Sequence, residues 1–450
     1  MAAVRPAAVA GMFYPGEPNA LAAQVDDLLG GVEELAPRLG FPKALVVPHA
    51  GYVYSGPVAA RAYDELGTAR GIVRRVVLLG PCHRVAVRGL AVPTAEAFAT
   101  PLGQVPVDRQ ALRSVQDLPQ VVPSDAAHAL EHSLEVQLPF LQRLLGEFSL
   151  VPFAVGTASV EGVSQVLERL WGGPETLIVV STDMSHYHAY EEALRIDSAT
   201  LARIAACATD IDHDEACGAT PLNGLLSFAA KRRFPIRLLA ACNSGDTAGD
   251  KGRVVGYSSF ALYDGEAAVP AEKAGAALLD IAYGAIERQL FRKSLAAFEA
   301  PWLRQAGATF VTLKKNRELR GCIGSLQAAR PLAEDVAHNA LGAAFRDPRF
   351  PALAAHEWPH CSVEVSLLSA PKPLRFAGED DLLAQIRPGE DGLILEAQGR
   401  RGTFLPQVWE SIPDTRAFLD ELVRKAGLPA DTRLERCKLF RYRVVKFDGR

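Results

Sequence analysis

The stretch that decides the fold of the first half of the chain is RRVVLLGPCHR, residues 74–84. Its apolar run predicts a buried strand, Arg75–Leu79, and His83 follows just beyond it. The same order recurs in ALVVPHAGY (44–52), where His49 follows a strand, and in TLIVVSTDMSHYH (176–188), where Asp183 and His186 follow another. In an open α/β sheet, ligands bind beyond the carboxyl ends of the strands. Three strands therefore carry histidine to the edge where chemistry is expected.

Similar apolar runs alternate with amphipathic segments over the rest of the first half, which predicts an α/β fold with a buried, mostly parallel sheet. The predicted strands are Ala44–Val47, Arg75–Leu79, Leu150–Ala154, Thr176–Val180, Ile236–Ala240 and Val254–Tyr263. The predicted helices are Asn19–Leu29, Leu130–Leu145, Glu191–Ala208 and Leu222–Ala230.

The second half has a different pattern, and it begins after the segment DGEAAVPAEKAG (264–275), whose small and polar residues are typical of a linker. Apolar residues at helical spacing from Leu278 to Leu290 predict a helix. Mixed strands and helices follow, which indicates an α+β domain. The predicted strands are Ala308–Lys314, Cys361–Leu368, Gly392–Glu396 and Lys438–Phe447, and the predicted helices are Pro331–Ala344 and Thr415–Ala426. We predict domains at 1–264 and 276–450, with a linker at 265–275.

The composition limits the kinds of partner. A chain of 450 residues with a formal net charge of −4 gives no electrostatic reason to expect nucleic acid or an anionic membrane. No apolar stretch reaches the roughly 18–20 residues that span a bilayer. The N-terminus lacks the order of a secretory signal. Seven scattered cysteines fit free thiols in a reducing cytoplasm, where we expect the protein to reside.

The strand-end histidines suggest a metal site, because imidazole is a good ligand for zinc, iron and copper. Cys217 precedes an apolar helical run, so it is either a thiolate ligand at a helix N-terminus or a small buried residue. His128-Ala-Leu-Glu131-His132 also matches HxxEH, the inverted zinc-protease signature. Those positions would share one helix face, but the pattern is short and its segment carries an apolar stripe typical of packing. We therefore disfavour the protease interpretation, although His132 could still reach the strand-end site.

Seven motifs resemble, in order and spacing, those of the Memo family over about residues 4–263. They are GMFYPG, VPHAGYVYSGPVAARAY, LLGPCH, ATPLGQVPVD, EHSLEVQLPF, VVSTDMSHY and ACGATP. Memo proteins are similar in fold to the LigB-like class III extradiol dioxygenases, so the resemblance implies an α/β sandwich with a mixed sheet. In those dioxygenases two histidines and a glutamate hold non-haem iron, and another histidine acts as acid and base. In Memo-like proteins a cysteine replaces the glutamate.

The resemblance assigns roles to particular residues. His49 and His83 match the two histidine ligands, and Cys217 matches the cysteine ligand of one transition-metal ion (iron, copper or zinc). His186 matches the acid/base histidine, with Asp183 three residues before it, and His132 matches the histidine of the E-H-S motif. A His/His/Cys set is softer than His/His/Glu, so it favours copper or zinc and changes or abolishes oxygen activation.

The second domain resembles the AMMECR family. The resemblance rests on LRGCIGS (319–325), AAFRDPRFPAL (343–353), VEVSLLSAPKPL (363–374), IRPGEDGLIL (386–395) and GRRGTFLPQVW (399–409). Memo-like and AMMECR-like proteins accompany a radical-SAM protein in the AmmeMemoRadiSam system. The chain resembles a fusion of the first two, and the resemblance implies the radical-SAM protein as a partner.

The second domain also offers a candidate cleft. Arg320 and Cys322 lie in a glycine-rich turn whose amides, thiol and guanidinium suit an anionic or carbonyl group. Glu364 lies in an otherwise apolar strand and needs a partner, for which Arg320 is the candidate. Arg401 lies in another loop bracketed by glycines. The predicted cleft is lined by Arg320, Cys322, Glu364 and Arg401, although Cys322 is also compatible with simple core packing.

Two functional hypotheses remain. The first is a metal-dependent redox or oxygen-handling enzyme for a small molecule, in which His186 transfers a proton and Asp183 orients or tunes it. The alternative is a non-catalytic adaptor that binds a metal or a peptide on a dioxygenase-like scaffold.

Overall fold

The computed structural model describes residues 3–32, 40–247, 249–264, 271–292 and 300–449, with only the backbone for 271–273. The described chain forms two compact units, one up to residue 264 and one from residue 271 onward. Most of the predicted linker, residues 265–270, lies outside the described residues. Its last five residues are helical, because a helix begins at Ala271. No helix among the described residues is long and apolar enough to cross a bilayer.

The first unit contains nine helices and twelve strands within its described part. The helices are α1 Pro18–Gly30, α2 Tyr52–Tyr63, α3 Arg109–Arg113, α4 Asp125–Ala129, α5 Leu138–Leu145, α6 Val160–Leu170, α7 Tyr190–Ala205, α8 Ala219–Arg232 and α9 Ser244–Thr247. The strands are β1 Val4–Arg5, β2 Ala44–Val47, β3 Arg75–Pro81, β4 Leu90–Val92, β5 Ala97–Thr100, β6 Gly103–Pro106, β7 Val121–Pro123, β8 Ser149–Val155, β9 Thr176–Ser181, β10 His186–His188, β11 Ile236–Asn243 and β12 Val254–Leu262.

A mixed sheet runs through the first unit in the order β10-β12-β2-β9-β3-β8-β4-β7, and β11 also pairs with β12. The central strands β2, β9, β3 and β8 are parallel. The flanking pairs β12/β2, β10/β12, β11/β12 and β4/β8 are antiparallel. The mixed sheet implied by the resemblance is confirmed, whereas the mostly parallel sheet predicted from the apolar runs holds for its centre and for the edge pair β4/β7.

Helices cover this sheet on both faces. Every residue of β2 and β9 is buried, so neither face of these strands is left to solvent. Helices α6 and α8 pack together, and α1 packs against α2 and α5. The first unit is therefore an α/β sandwich with one continuous apolar core.

One predicted helix is wrong in its extent. The segment 130–145 was expected to be continuous, but α4 ends at Ala129 and a 3-10 turn spans Glu135–Gln137 before α5 begins at Leu138. His128 therefore lies on α4, while Glu131 and His132 lie in the irregular segment that follows. His128, Glu131 and His132 therefore do not share a helix face, and that arrangement is excluded.

The second unit is α+β. Its helices are α10 Ala271–Phe291, α11 Leu332–Phe345, α12 Glu379–Gln385 and α13 Thr415–Lys425. Its strands are β13 Ala306–Gly307, β14 Thr309–Lys315, β15 Glu318–Gly324, β16 Arg330–Pro331, β17 Cys361–Leu368, β18 Lys372–Leu374, β19 Gly392–Ala397, β20 Arg400–Phe404, β21 Lys438–Tyr442 and β22 Val444–Asp448.

Two antiparallel four-stranded sheets organise this unit, in the orders β15-β14-β17-β22 and β18-β21-β19-β20. One face of the first sheet packs against α10 and α11, and the second sheet packs against α12 and α13. A small cluster that includes Ala308, Leu368, Ile394 and Tyr442 joins the two sheets. The predicted strand Lys438–Phe447 is two strands, because the chain passes from one sheet to the other at Arg443.

Candidate metal centre

Neighbouring parallel strands bring the predicted strand-end residues together. In the sheet β9 lies between β2 and β3, so the carboxyl ends of all three strands meet at one edge. His49 and His83 follow β2 and β3, and Asp183 follows β9. His186 begins β10, which pairs with β12. The sheet edge therefore holds the four residues that the sequence placed there.

A cluster of three imidazoles forms the centre of this site. One ring nitrogen each from His49, His83 and His132 lies within 4.8 Å of the other two, an arrangement that could hold a metal ion. The ring centroids are 5.2 Å apart for His49 and His83, 5.4 Å for His49 and His132, and 4.7 Å for His83 and His132. His132 joins the two predicted histidine ligands because the helix break before it turns its ring toward the strand ends.

Glu131 fixes the orientation of His83. Its buried carboxylate accepts hydrogen bonds from the His83 backbone N–H at 2.6 Å and from His83 Nδ1 at 2.9 Å. The backbone amides of His132 and Ser133 donate to the same carboxylate at 3.0 and 2.9 Å. Burial opposes the charge, but the hydrogen bond and charge of His83 and these amides hold the pKa of Glu131 at about 2. An ionised carboxylate only accepts, so His83 Nδ1 is the donor, and in the neutral ring Nε2 is the nitrogen left to bind a metal.

His49 is the most deeply buried member of the cluster, with 2% of its surface exposed. Its backbone N–H donates to Asp183 Oδ1 at 2.7 Å, and its Nδ1 lies 2.9 Å from Ser181 Oγ. Burial and the neighbouring imidazoles lower the pKa of His49 well below its usual value. The ring is therefore neutral at pH 7, which is the protonation state that binds metals.

Cys217 lies against His49 at the edge of this cluster. Its Sγ is 3.3 Å from His49 Nε2 and accepts a hydrogen bond from the Asp183 backbone N–H at 3.3 Å. A Cβ on Gly218 would lie 2.6 Å from the Ser181 carbonyl oxygen, so glycine is needed for this close approach. Burial, and then the nearby Asp183, raise the pKa of Cys217 to about 12. The thiol becomes a thiolate ligand only if a bound cation displaces its proton.

The predicted proton-transfer pair has different partners from those expected. Asp183 was expected to orient His186, but its carboxylate binds the backbone amides of His49 and Ala50. Burial raises the pKa of Asp183 to about 7. His186 hydrogen-bonds the Met184 backbone, and burial lowers its pKa, so its ring is neutral at pH 7. Asp183 thus supports the His49 loop, while His186 remains a neutral base on the wall of the site.

These groups line a cavity of about 690 Å³. Its wall consists of His49, His83, Arg84, His132, Asp183, His186, Tyr187, His188, His213, Asp214 and Cys217. Tyr187 adopts the left-handed conformation with φ 63° and is 64% exposed at the rim. Strained backbone at a non-glycine residue is concentrated at functional sites. The cavity is large enough for a small organic molecule beside the imidazole cluster.

Sequence reasoning missed two supporting residues, Glu131 and Phe13. The Phe13 ring lies 4.9 Å from the His132 ring, and the Phe13 carbonyl accepts from the Tyr52 backbone N–H at 2.8 Å. Both residues lie in motifs that carried the resemblance, GMFYPG and EHSLEVQLPF. The signal was therefore present, but only the three-dimensional contacts reveal what each residue does.

The predicted cleft of the second unit is not assembled as expected. Arg320 forms an ion pair with Glu357 at 3.0 Å, whereas Glu364 forms one with Lys314 at 3.0 Å, so the proposed Arg320–Glu364 pairing is wrong. Lys315 also binds Glu357, at 2.9 Å. Consecutive strand residues point to opposite faces, so Arg320 and Glu364 form their ion pairs on opposite sides of the sheet.

The two remaining residues of that cleft lie in different sheets. Cys322 is on β15, next to Thr312, whose hydroxyl donates to its sulfur at 3.4 Å. Glu364 pairs with Thr312 from the other side, so Cys322 and Glu364 share a face. Arg401 lies on β20 of the second sheet and pairs with Glu396 at 3.2 Å.

The structure predicts that acid destabilises the metal-free first unit through buried neutral histidines. His128 is buried, its Nε2 donates to the Ala91 carbonyl at 2.9 Å, and burial lowers its pKa to about 4. The unfolded chain binds this proton near pH 6.5, so stability is complete above pH 6.5 and is lost as pH falls toward 4. From His128 alone, the free energy of unfolding should be about 2 kcal/mol lower at pH 5 than at pH 7.

Urea unfolding of chelator-treated protein at the two pH values measures this effect. His128→Gln keeps an amide donor for Ala91 but removes the titration, so the difference between pH 7 and pH 5 should shrink. His356→Gln, at an exposed position of the second unit, is the matched control. An unchanged difference in His128→Gln would show that this histidine is not the cause.

Comparisons with known proteins agree with the two-unit organisation. The family model described as Memo-like protein matches residues 5–261, and the AMMECR1 family model matches residues 279–447. A MEMO1 family protein from Aquifex aeolicus is 37% identical over 268 residues, covering 56% of this chain and 97% of the relative. A MEMO1 family protein from Ignicoccus hospitalis is 36% identical over 283 residues, covering 57% of this chain and 97% of the relative.

Two solved structures are also similar. An uncharacterized protein from Pyrococcus horikoshii has a TM-score of 0.36 at 34% identity, covering 39% of this chain and 91% of that one. An uncharacterized protein from Escherichia coli K12 has a TM-score of 0.35 at 16% identity, covering 48% of this chain and 98% of that one.

Proposed function

Since the chain belongs to the Memo-like protein family and carries an AMMECR1 domain C-terminal to its Memo domain, we propose a function for the Memo domain's site. We propose that the protein is a metal-dependent redox enzyme that acts on a small molecule. The observation that carries the proposal is the cluster of His49, His83 and His132 at the floor of an open cavity. A bound transition metal would supply Lewis acidity and one-electron chemistry to an oxygen-handling reaction.

The donor set fits such an ion. Three imidazoles suit iron, copper or zinc, and Cys217 is close enough to His49 to add a soft ligand. Glu131 holds His83 in the orientation and tautomer that a metal requires, as carboxylates behind metal-binding histidines commonly do. Asp183 holds the backbone of His49 in place.

His186 is the proposed proton carrier. It lines the same cavity as the three imidazoles, and its lowered pKa leaves it able to accept a proton from a bound substrate at neutral pH. The cavity wall also carries Arg84 and Asp214, which can orient polar groups of that substrate.

Oxygen uptake tests this function. The chain, loaded anaerobically with Fe²⁺ or Cu⁺ and then mixed with oxygen and a reductant, should consume oxygen faster than metal and reductant alone. His186→Ala should keep the metal and lose on the order of 100-fold or more of the rate, since general acid–base catalysis contributes about that much. Bound metal without oxygen uptake above background would contradict the redox function and favour the adaptor hypothesis.

We also propose that the protein acts in the cytoplasm with a radical-SAM partner. The proposal of a reducing compartment is supported by the seven cysteines, which are all free. The proposal of this partner rests on the resemblance of the two fused domains to two proteins of the AmmeMemoRadiSam system. Co-purification of a radical-SAM protein with the tagged chain from its own cells would support this partner, and its absence under anaerobic conditions would count against it.

A further inference from the structure

We propose that Ser181, whose one hydroxyl proton is held by the Ser133 carbonyl, is a positioning residue that fixes the metal-binding tautomer of His49. The significance of this role rests on the proposed metal function, but the tautomer itself is a property of the metal-free protein. Ser181 belongs to a hydrogen-bond relay, a series of buried hydrogen bonds that runs from Tyr63 through Gln137 and Ser181 to His49.

The hydrogen-bond relay includes the Gln137 amide, whose orientation is fixed by its partners. Gln137 is 1% exposed, and its Nε2 donates to the Pro48 carbonyl at 2.9 Å and to Ser181 Oγ at 2.9 Å. A carbonyl oxygen only accepts, so the amide nitrogen must face Pro48. On the other side, the fully buried Tyr63 hydroxyl donates to Gln137 Oε1 at 2.8 Å. Both ends of the amide therefore have defined partners, and a flipped side chain would place an oxygen against the Pro48 carbonyl.

The Ser133 carbonyl determines the role of the Ser181 hydroxyl. Ser181 Oγ donates its one proton to the Ser133 carbonyl at 2.7 Å, because that carbonyl cannot donate. Its two lone pairs remain, and one receives the Gln137 amide. The other faces His49 Nδ1 at 2.9 Å. Ser181 has no second proton to give, so His49 Nδ1 must be the donor.

The tautomer of His49 follows. Nδ1 carries the proton and Nε2 carries the lone pair, on the side where Cys217 Sγ lies 3.3 Å away. His83 reaches the same state through a different partner, the carboxylate of Glu131. The neutral Ser181 hydroxyl behind His49 and the ionised Glu131 carboxylate behind His83 thus leave Nε2 of both histidines facing one site. Gln137 holds the Ser181 hydroxyl and, through the Pro48 carbonyl, the backbone next to His49.

The tautomer can be read directly in metal-free protein. Full-length chain labelled with ¹⁵N-histidine and treated with chelator should give, for His49, a protonated Nδ1 and an unprotonated Nε2 in long-range ¹H–¹⁵N spectra. His49→Gln identifies the signals. Ser181→Ala removes the hydroxyl that accepts from Nδ1, so His49 should populate the Nε2-protonated form, whose proton faces Cys217 Sγ.

Ser258→Ala is the matched control, because Ser258 is a fully buried serine on β12 of the same sheet whose hydroxyl binds no described residue. It should keep the wild-type tautomer. In parallel, Zn²⁺ titration against a competing chelator should show Ser181→Ala weakened about 10–100-fold, as is typical when a partner behind a ligand is lost. Ser258→Ala should bind Zn²⁺ like wild type.

The hydrogen-bond relay and the proposed metal function are tested separately. A wild-type His49 protonated at Nε2 would overturn the relay, whatever the metal result and even if Ser181→Ala does not fold. A folded Ser181→Ala with the wild-type tautomer would also overturn the role of Ser181. Wild-type protein with the expected tautomer but no Zn²⁺, iron or copper binding would leave the relay standing and overturn the proposed metal function.

Discussion

His83→Ala should lower the affinity of the chain for a transition-metal ion on the order of 100-fold or more, because it removes one of three clustered imidazoles. Loss of a partner behind a ligand already weakens metal binding by about 10–100-fold, and loss of the ligand itself should exceed this. It also leaves the buried carboxylate of Glu131 without its Nδ1 donor. Metal content after dialysis, measured by mass spectrometry together with chelator competition, gives the result.

The cavity offers a matched control for this substitution. His213 lines the same cavity, but its ring nitrogens face the Cys217 carbonyl at 3.3 Å and the Thr220 hydroxyl at 3.1 Å. His213→Ala should therefore keep the metal. His49→Ala should behave like His83→Ala, and Cys217→Ser will show whether the thiol contributes as a ligand. Equal metal content in His83→Ala and wild type would contradict the site.

Glu135→Ala should destabilise the first unit by about 3–5 kcal/mol, the usual effect of removing one partner of a buried ion pair. The Glu135 side chain is fully buried and pairs with Arg5, whose side chain is 4% exposed. It also accepts from the backbone amides of Ala8 and Val9 at 2.7 and 3.0 Å and from the Tyr14 hydroxyl. The Glu135 carboxylate thus anchors the N-terminal segment, which includes Phe13, the residue whose ring contacts His132.

Urea unfolding at pH 7 measures this change, and Glu96→Ala provides the comparison. Glu96 is half exposed and lies 3.7 Å from Arg109, so its loss should change stability by less than about 1 kcal/mol. If both substitutions had the same small effect, the buried pair would not hold the N-terminal segment. A large effect of Glu135→Ala alone supports the anchoring role.

The central strands were predictable because they are apolar on both faces. Ala44–Val47 matches the structure residue for residue, and Thr176–Val180 misses one terminal residue. Such strands need no partner to be recognised, since a short run of β-branched and aliphatic residues between turn residues is distinctive. His49, His83 and Asp183 were therefore placed correctly at the sheet edge.

Helix α2 could not be found in the same way. Its sequence, YVYSGPVAARAY, contains Gly56 and Pro57 and follows a glycine, so local preferences favour a loop. The helix forms because residues along it are buried against the sheet, which tertiary packing decides. The late start of α5 was missed for the opposite reason. The apolar stripe from Leu134 to Leu145 begins before α5, so it predicts a helix that starts too early.

The third imidazole of the cluster was predictable only in outline. The sequence and the resemblance named His132 as a group near the site, and Cys217 as the third metal ligand. The structure clusters His132 with His49 and His83, and it places Cys217 outside that cluster, with Sγ 3.3 Å from His49 Nε2. Which of the two completes the ligand set depends on side-chain directions after a helix break, and no spacing in the sequence encodes those.

The most direct test of the metal centre is a crystal structure of the full chain with its metal, with diffraction data collected on both sides of that metal's absorption edge. An anomalous peak within bonding distance of His49 Nε2 and His83 Nε2, with His132 or Cys217 completing the set, is the predicted result. A metal-loaded crystal whose peak lies elsewhere, for example between His186, His188 and His213 at the cavity mouth, would contradict it.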